Sequence, residues 1–227
     1  MSIGIGDNLT QSFEFAKEKL GGNIGTWLIL SILNIVPIVN WIVYGAYVKV
    51  LRGGDPDLDN MGKSFVDGLL ALIIGFIYMI IPIILIVFVS VGMFTISSVT
   101  TVTPMSTMSS MSPVVPVVTT GAGFALMFGL IILCIIVAFF FALFAKPAVV
   151  NFARNGFSAA FRLGEIFGMI SKAGWLKYIV SLILFWLIFG AIILLCLMIP
   201  IVGWILLIFI IPFLYCWGSK YLANLFE

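Results

Sequence analysis

Apolar positions along this chain follow two different rules. In residues 7–20 they recur at helical spacing, with Leu9, Phe13, Ala16 and Leu20 on one face and Glu14, Lys17 and Glu18 off it. Asn8, with Gln11 three positions later, offers a capping box at the start, and Gly21-Gly22 offers a stop. Residues 157–172 divide in the same way: Ser158, Arg162, Glu165 and Lys172 form a polar stripe, with Phe157, Phe161, Gly164 and Phe167 on or near the opposite side. Both stretches are predicted to be amphipathic helices lying in the headgroup plane beside membrane spans.

Elsewhere no polar face interrupts the apolar runs. No charged residue lies between Lys19 and Lys49, between Asp67 and Lys146, or between Lys177 and Lys220. A charge at the bilayer centre costs about 2.5–3.5 kcal/mol on insertion scales, so these gaps map the membrane. Residues 69–95, 124–150, 175–199 and 202–221 are predicted as full transmembrane helices, the first of them kinked near Pro82. The run 24–51 is interrupted by Pro37. Asn23 to Pro37 would give about 21 Å of helix, short of the hydrocarbon core of about 30 Å, so this run is either one kinked span or a re-entrant hairpin.

The distribution of basic residues favours the hairpin. The polar loop after it, residues 49–63, holds three basic residues and 146–177 holds five, whereas the loop after Thr95 and the turn at Pro200 hold none. By the positive-inside rule the first two face the cytoplasm. A hairpin at 24–51 then puts all eleven basic residues and both termini inside, with the loop 96–123 outside. A proline-led hexapeptide also recurs: Pro37-Ile38-Val39-Asn40-Trp41-Ile42 and Pro200-Ile201-Val202-Gly203-Trp204-Ile205 agree at five of six positions. Its physical content is a proline-ended helix that turns back, which predicts an internal structural repeat.

Composition excludes the soluble classes. Of the 227 residues, 63% are hydrophobic and 9% charged, too little charge to cover a water-facing surface, and mean hydropathy is +1.29. With 11 basic and 9 acidic residues, binding to nucleic acid has no support. The first twenty residues carry five charges and no apolar core, so no cleavable signal peptide is expected. The expected fold is all-α and polytopic: a single membrane domain over 1–227 with four full spans, a proline-broken hydrophobic hairpin at 24–51 and two interfacial amphipathic helices. A plasma-membrane location follows as the expectation.

Candidate chemistry is sparse. Histidine is absent, and Cys134, Cys196 and Cys216 lie inside apolar runs without ligand-like spacing, as small core residues do. The loop Asp55-Pro56-Asp57-Leu58-Asp59-Asn60 resembles a calcium loop only at its start. Its sixth position is Asn60 where glycine is needed and its twelfth is Val66 where glutamate is needed, so the expected role is a short acidic loop with Asp59 or Asn60 capping the next helix. Arg162 and Glu165 are spaced to pair on one helix. Asn34, Asn40 and Asn151 are candidates for interhelical hydrogen bonds, and Lys146, beside Pro147, for a lysine snorkelling from within a span. Met105, Met108 and Met111 in the outer loop are too little for a copper site without histidine. The loop 96–123 is uncharged and valine-rich; packing against another copy of the chain and a free, glycosylated linker are both open for it. Asn8-Leu9-Thr10 is the one N-glycosylation sequon. Trp27, Trp175, Tyr178, Trp217 and Tyr221 near the run ends read as interfacial anchors.

Two stretches resemble an uncharacterised family of archaeal and bacterial polytopic membrane proteins known only as a domain of unknown function. They are residues 35–68, containing IVPIVNWIVYGAYVKVLRGG and SFVDGLLAL, and residues 160–225, containing AFRLGEIFGMISKAGWLKYIVSLIL, IPIVGWILLIFIIPFLY and GSKYLANLF. The middle, residues 90–145, shows no specific match, and the acidic loop lacks the aromatic residue the family often carries there. The resemblance implies a membrane fold with interfacial helices and no assigned activity. No catalytic, cofactor-binding or metal-ligating residue set is expected, and no enzyme activity. The leading expectation is a structural or accessory membrane protein that self-associates or joins a larger membrane complex, embedded in the lipid bilayer, with Gly75, Gly129 and Gly190 as close-packing sites. The alternative is a transporter or channel for an uncharged or lipidic solute, supported by proline interruptions at Pro37, Pro82 and Pro212 that could open backbone groups to a path.

Overall fold

The structure is a computed structural model that describes residues 4–99, 121–199 and 201–227. Eight α-helices make up the described chain: α1 (Ile5–Ala16), α2 (Ile24–Ile35), α3 (Asn40–Leu51), α4 (Met61–Val99), α5 (Gly121–Asn155), α6 (Leu163–Ala173), α7 (Trp175–Leu197) and α8 (Val202–Leu225). A π-helical turn, Lys17–Gly21, extends α1, and a 3₁₀ turn, Phe157–Phe161, precedes α6. Four of the helices, over Met61–Val91, Phe128–Asn155, Trp175–Leu197 and Val202–Leu225, are long and apolar enough to cross a membrane. The α4 and α5 helices outrun the predicted spans at both ends, since helix propensity continues past the point where hydropathy falls. The loop readings at 96–123, including its packing, its methionines and its glycosylation, fall mostly on residues outside those described.

Two compact units form. The larger comprises Met1–Gly75 and Leu143–Glu227, and the smaller is Phe76–Ala142, the remaining arms of α4 and α5. In the smaller unit α4 runs through Pro82 without ending, and its residues Ile84 and Phe88 are exposed.

In the larger unit α8 is the central helix. Its apolar window is 39% buried, against 11% for that of α7. Around it α1, α2 and α3 gather a core of Ala16, Leu20, Leu30, Val43, Ala46, Tyr47 and Val50 against Leu214, Cys216 and Trp217. Cys134, Cys196 and Cys216 are buried and free. The α2 and α3 helices are separate, joined through Val36–Val39 with Pro37 in the turn, and each has 12 residues, about 18 Å of helix. The chain returns to its starting level across this pair: Lys19, before α2, lies 3.0 Å from Asp55, after α3. At the two copies of the hexapeptide Asn40 and Val202 begin α3 and α8, while Pro200 lies outside the described residues.

Where α3 crosses α4, the two backbones touch. Gly45 lies against the Ser64 carbonyl and Gly68 against the Trp41 carbonyl, so a Cβ on either glycine would overlap main chain. Gly75, Gly129 and Gly190, expected as close-packing sites of an assembly, each face open space within the chain, with no atom within 4 Å of an added Cβ.

The N-terminal helix also corrects the reading of its start. The cap position is Gly4, and Asn8 stands inside α1, buried at 2% exposure. Its side-chain amide donates to the Tyr221 carbonyl at 3.1 Å, and Ser12, also buried, bonds back to Asn8. The row Asn8, Ser12 and Ala16 is what α1 buries against α8, while Phe13, on the predicted apolar face, is 41% exposed and meets the rings of Phe213 and Trp217 edge-on. Burial at this depth removes Asn8 from the reach of glycosylation.

Candidate functional site

The polar side chains of the larger unit collect where α3, α5 and α8 end. Arg52, at the C-terminal cap of α3, forms an ion pair with Asp67 on α4 and donates from Nε to the Ala153 carbonyl on α5 at 2.6 Å. Its guanidinium also lies 5.9 Å from the centre of the Phe152 ring. Directly after Ala153, Arg154 donates to the carbonyls of Ala223 and Phe226, both at 2.9 Å, and so closes the end of α8 with a cation where unpaired carbonyls and the helix dipole favour one. Neither arginine was singled out by sequence reasoning. The only signal was an arginine near a helix end, and that does not name the carbonyl it reaches.

A second network joins α5 to α6. The Asn151 side-chain amide donates to the Ala159 carbonyl at 2.8 Å and to Glu165 Oε2 at 3.0 Å, while Arg162 donates to Glu165 Oε1 at 2.9 Å. The pair read from spacing is present, and it is anchored to a span by Asn151, an interhelical role expected for that residue. Asn34 and Asn40 make no side-chain hydrogen bond with described residues. The Asn151 amide first, and Arg162 second, hold the Glu165 carboxyl below its ordinary range. A depressed folded value means that the contribution is complete above the unfolded value of about 4.3 and is lost as pH falls through the folded one. On acidification from neutral pH to about pH 3, the wild type is therefore expected to lose more of its detergent melting temperature than Glu165→Gln. Equal losses would show that the network carries no linked proton.

The acidic loop is used internally. Asp55 pairs with Lys19 and raises its amine, Asp57 pairs with Lys49, and Asn60 accepts from the Lys63 amide to cap α4. Among the described residues no group of three or more Asp, Glu or Cys side chains is placed to hold a metal.

The prolines inside helices carry the most informative geometry. Pro147 has no N–H, so the carbonyl four residues earlier, Leu143, loses its helical donor. The Tyr178 hydroxyl of α7 supplies the missing donor, at 2.5 Å from that carbonyl. Next to the break at Pro212, the Trp27 indole donates to the Phe209 carbonyl at 2.8 Å. Membrane helices tolerate proline where a neighbour satisfies the freed backbone, as Tyr178 does at Leu143. Tyr178, Trp217 and Tyr221, read as interfacial anchors, are thereby corrected to core residues: each is under 7% exposed, and the Trp217 indole donates to the Leu9 carbonyl at 3.1 Å. Removing the Tyr178 hydroxyl in Tyr178→Phe leaves a buried carbonyl unpaired and should cost about 1–3 kcal/mol of stability in detergent. An unchanged melting temperature would mean that water or a shifted helix satisfies Leu143.

Between α5, α7 and α8 lies a cavity of about 390 Å³. Leu182, Phe185, Phe189 and Ile193 form its α7 wall and Leu214 and Gly218 part of its α8 wall, with Lys146 contributed by α5.

Four apolar spans around polar clasps define a multi-pass helical membrane protein. The chain belongs to the family described as protein of unknown function (DUF4013), whose model matches residues 29–202. That match includes the middle of the chain, where no specific resemblance had been visible, and stops short of most of α8. No curated protein and no solved structure matches the chain.

Proposed function

We propose that the protein is a non-enzymatic structural or accessory component of the membrane that self-associates or joins a larger membrane assembly. The observation that carries this reading is the closure of the proline break in α5. Carbonyls at such breaks are what a conducting or transporting path would use. Here the one freed by Pro147 is taken by Tyr178, while Trp27 ties α2 to α8 at the Phe209 carbonyl, one position from the carbonyl that Pro212 frees. Arg52, Arg154, Asn8 and Asn151 are likewise committed to backbone carbonyls of neighbouring elements. Groups held in this way tie helix ends together and are not free to move protons or select a solute. The outward faces of the spans remain apolar and unpacked, as with Leu176, Leu187 and Leu194 on α7, which leaves them for lipid or for a partner helix.

The contact between Lys19 and Asp55 supports α2–α3 as a re-entrant hairpin, since a single crossing would separate those residues by the thickness of the bilayer. With the basic residues inside, both termini are cytoplasmic in this reading. The cavity between α5, α7 and α8 favours a second reading, handling of a lipidic solute. Light scattering in mild detergent tests the first: one defined mass at a multiple of 24.9 kDa is expected, and a monomer at all concentrations would overturn self-association. For orientation, Glu14→Cys on the exposed side of α1 should escape an impermeant thiol reagent in intact cells, and labelling would place the N-terminus outside.

A further inference from the structure

We propose that the cavity between α5, α7 and α8 holds an acyl chain of one anionic membrane phospholipid, with the lipid phosphate paired to Lys146. The walls fit a chain. The lining runs from Leu182 to Ile193 on α7 and from Ile211 to Leu222 on α8, a rise of about 16 Å on each helix. One leaflet of the hydrocarbon core is about 15 Å deep. Trp186 and Lys146, both part of the lining, are exposed, so the cavity opens sideways at the level of the spans, where a lipid can enter from the bilayer.

The polar groups fit a phosphate. Lys146 lies within the span Phe128–Asn155 and has neither an ion pair nor a hydrogen bond with any described residue, a costly state for a charge at that depth. The Tyr221 hydroxyl, on a residue 1% exposed in the same lining, has no partner in hydrogen-bonding geometry; the buried Ser181 hydroxyl is near it but off that geometry. That hydroxyl is enclosed beside Ser181, so Lys146 is the lining group left to meet an anion. A second copy of the chain is the poorer occupant, because the uncharged stretches between Asp67 and Lys146 and between Lys177 and Lys220 offer no acidic side chain to the lysine. A bilayer phospholipid brings both the chain and the anion. The inference stands whether or not the protein self-associates.

The test is native mass spectrometry of the full-length protein, stripped of lipid in a neutral detergent and then given phosphatidylglycerol or phosphatidylcholine with identical acyl chains. The wild type is expected to retain one phosphatidylglycerol with about a fivefold preference over phosphatidylcholine, the scale of one basic residue acting on an anionic headgroup. Lys146→Gln should equalise the two lipids, and Lys146→Arg should keep the preference. Gly190→Leu places a side chain into the open cavity and should remove retention of both lipids; if it does not fold, Gly190→Val carries that arm. Excess inorganic phosphate should not displace the lipid, and displacement would show a free-anion site instead. Equal retention by the wild type, a preference that survives Lys146→Gln, or retention unchanged by filling the cavity would each overturn the proposal. So would a fall in the mass of the assembly on filling the cavity with lipid still bound, because the occupant would then be another chain.

Discussion

Gly45→Ala is expected to cost about 3 kcal/mol or more and to leave little monodisperse protein in detergent. The methyl group would fall on the Ser64 carbonyl, which is backbone in the first turns of α4 and cannot rotate aside. The same crossing brings a Cβ at Gly68 onto the Trp41 carbonyl and within 2.8 Å of the Gly45 amide nitrogen, so Gly68→Ala should fail in the same way. Relief requires the two helices to separate, and that would part the neighbouring rings of Trp41 and Phe65, now 5.4 Å apart. Gly75→Ala and Gly129→Ala give the contrast. Both face open space, and alanine is the better helix former by about 0.5–1 kcal/mol, so these variants should melt at or slightly above the wild-type temperature. Scanning fluorimetry on the four proteins decides the matter: similar behaviour of all four would mean that the α3–α4 crossing is not as close as described.

Arg52→Ala is expected to cost about 1–3 kcal/mol, because it removes the exposed partner of an ion pair and leaves the buried one in place. Asp67 is 9% exposed, and without the guanidinium its carboxylate stays buried without that partner. The Ala153 carbonyl loses its donor in the same step. The partial exposure of Arg52 places the figure at the low end for such pairs. Replacing both partners with apolar residues, as Arg52→Met with Asp67→Leu, should recover part of the loss, since the desolvated charge is then gone. A double-mutant cycle on chemical or thermal unfolding in detergent reads the coupling. A coupling near zero would reduce this contact to an exposed surface pair.

The spans were legible in the sequence because hydropathy is a local sum: about twenty apolar residues in a row predict a crossing whatever surrounds them. Two further features are equally local. Asn60 caps α4, and Arg162 meets Glu165 one helical turn on; both partners lie within four residues. The reading of α1 went wrong where a distant partner intervened. Spacing put Leu9 and Phe13 on the apolar face and Asn8 at the cap, yet Asn8 and Ser12 are residues that α1 buries, because α8 presents the Tyr221 carbonyl to that side. The aromatic residues near run ends fit an interfacial belt by position, and Trp217, Tyr178 and Tyr221 became core because α1, α5 and α7 cover them.

The sequence by itself determined the class of protein, the four helices long and apolar enough to cross and the gathering of charge at 49–63 and 146–177, since each depends only on how many apolar or charged residues stand in a row. It also determined a need: Pro147 removes an N–H, so the Leu143 carbonyl must find another donor. Only the tertiary structure decided that Tyr178, on a different helix, answers that need, that Gly45 and Gly68 lie at a helix crossing within the chain, and that Lys146 stands in a cavity without an acidic partner among the described residues. Unsatisfied polar groups and missing side chains are written residue by residue, but which group meets them depends on how the helices cross. In lipid no hydrophobic force between helices selects that crossing, so close backbone contact and a few hydrogen bonds select it.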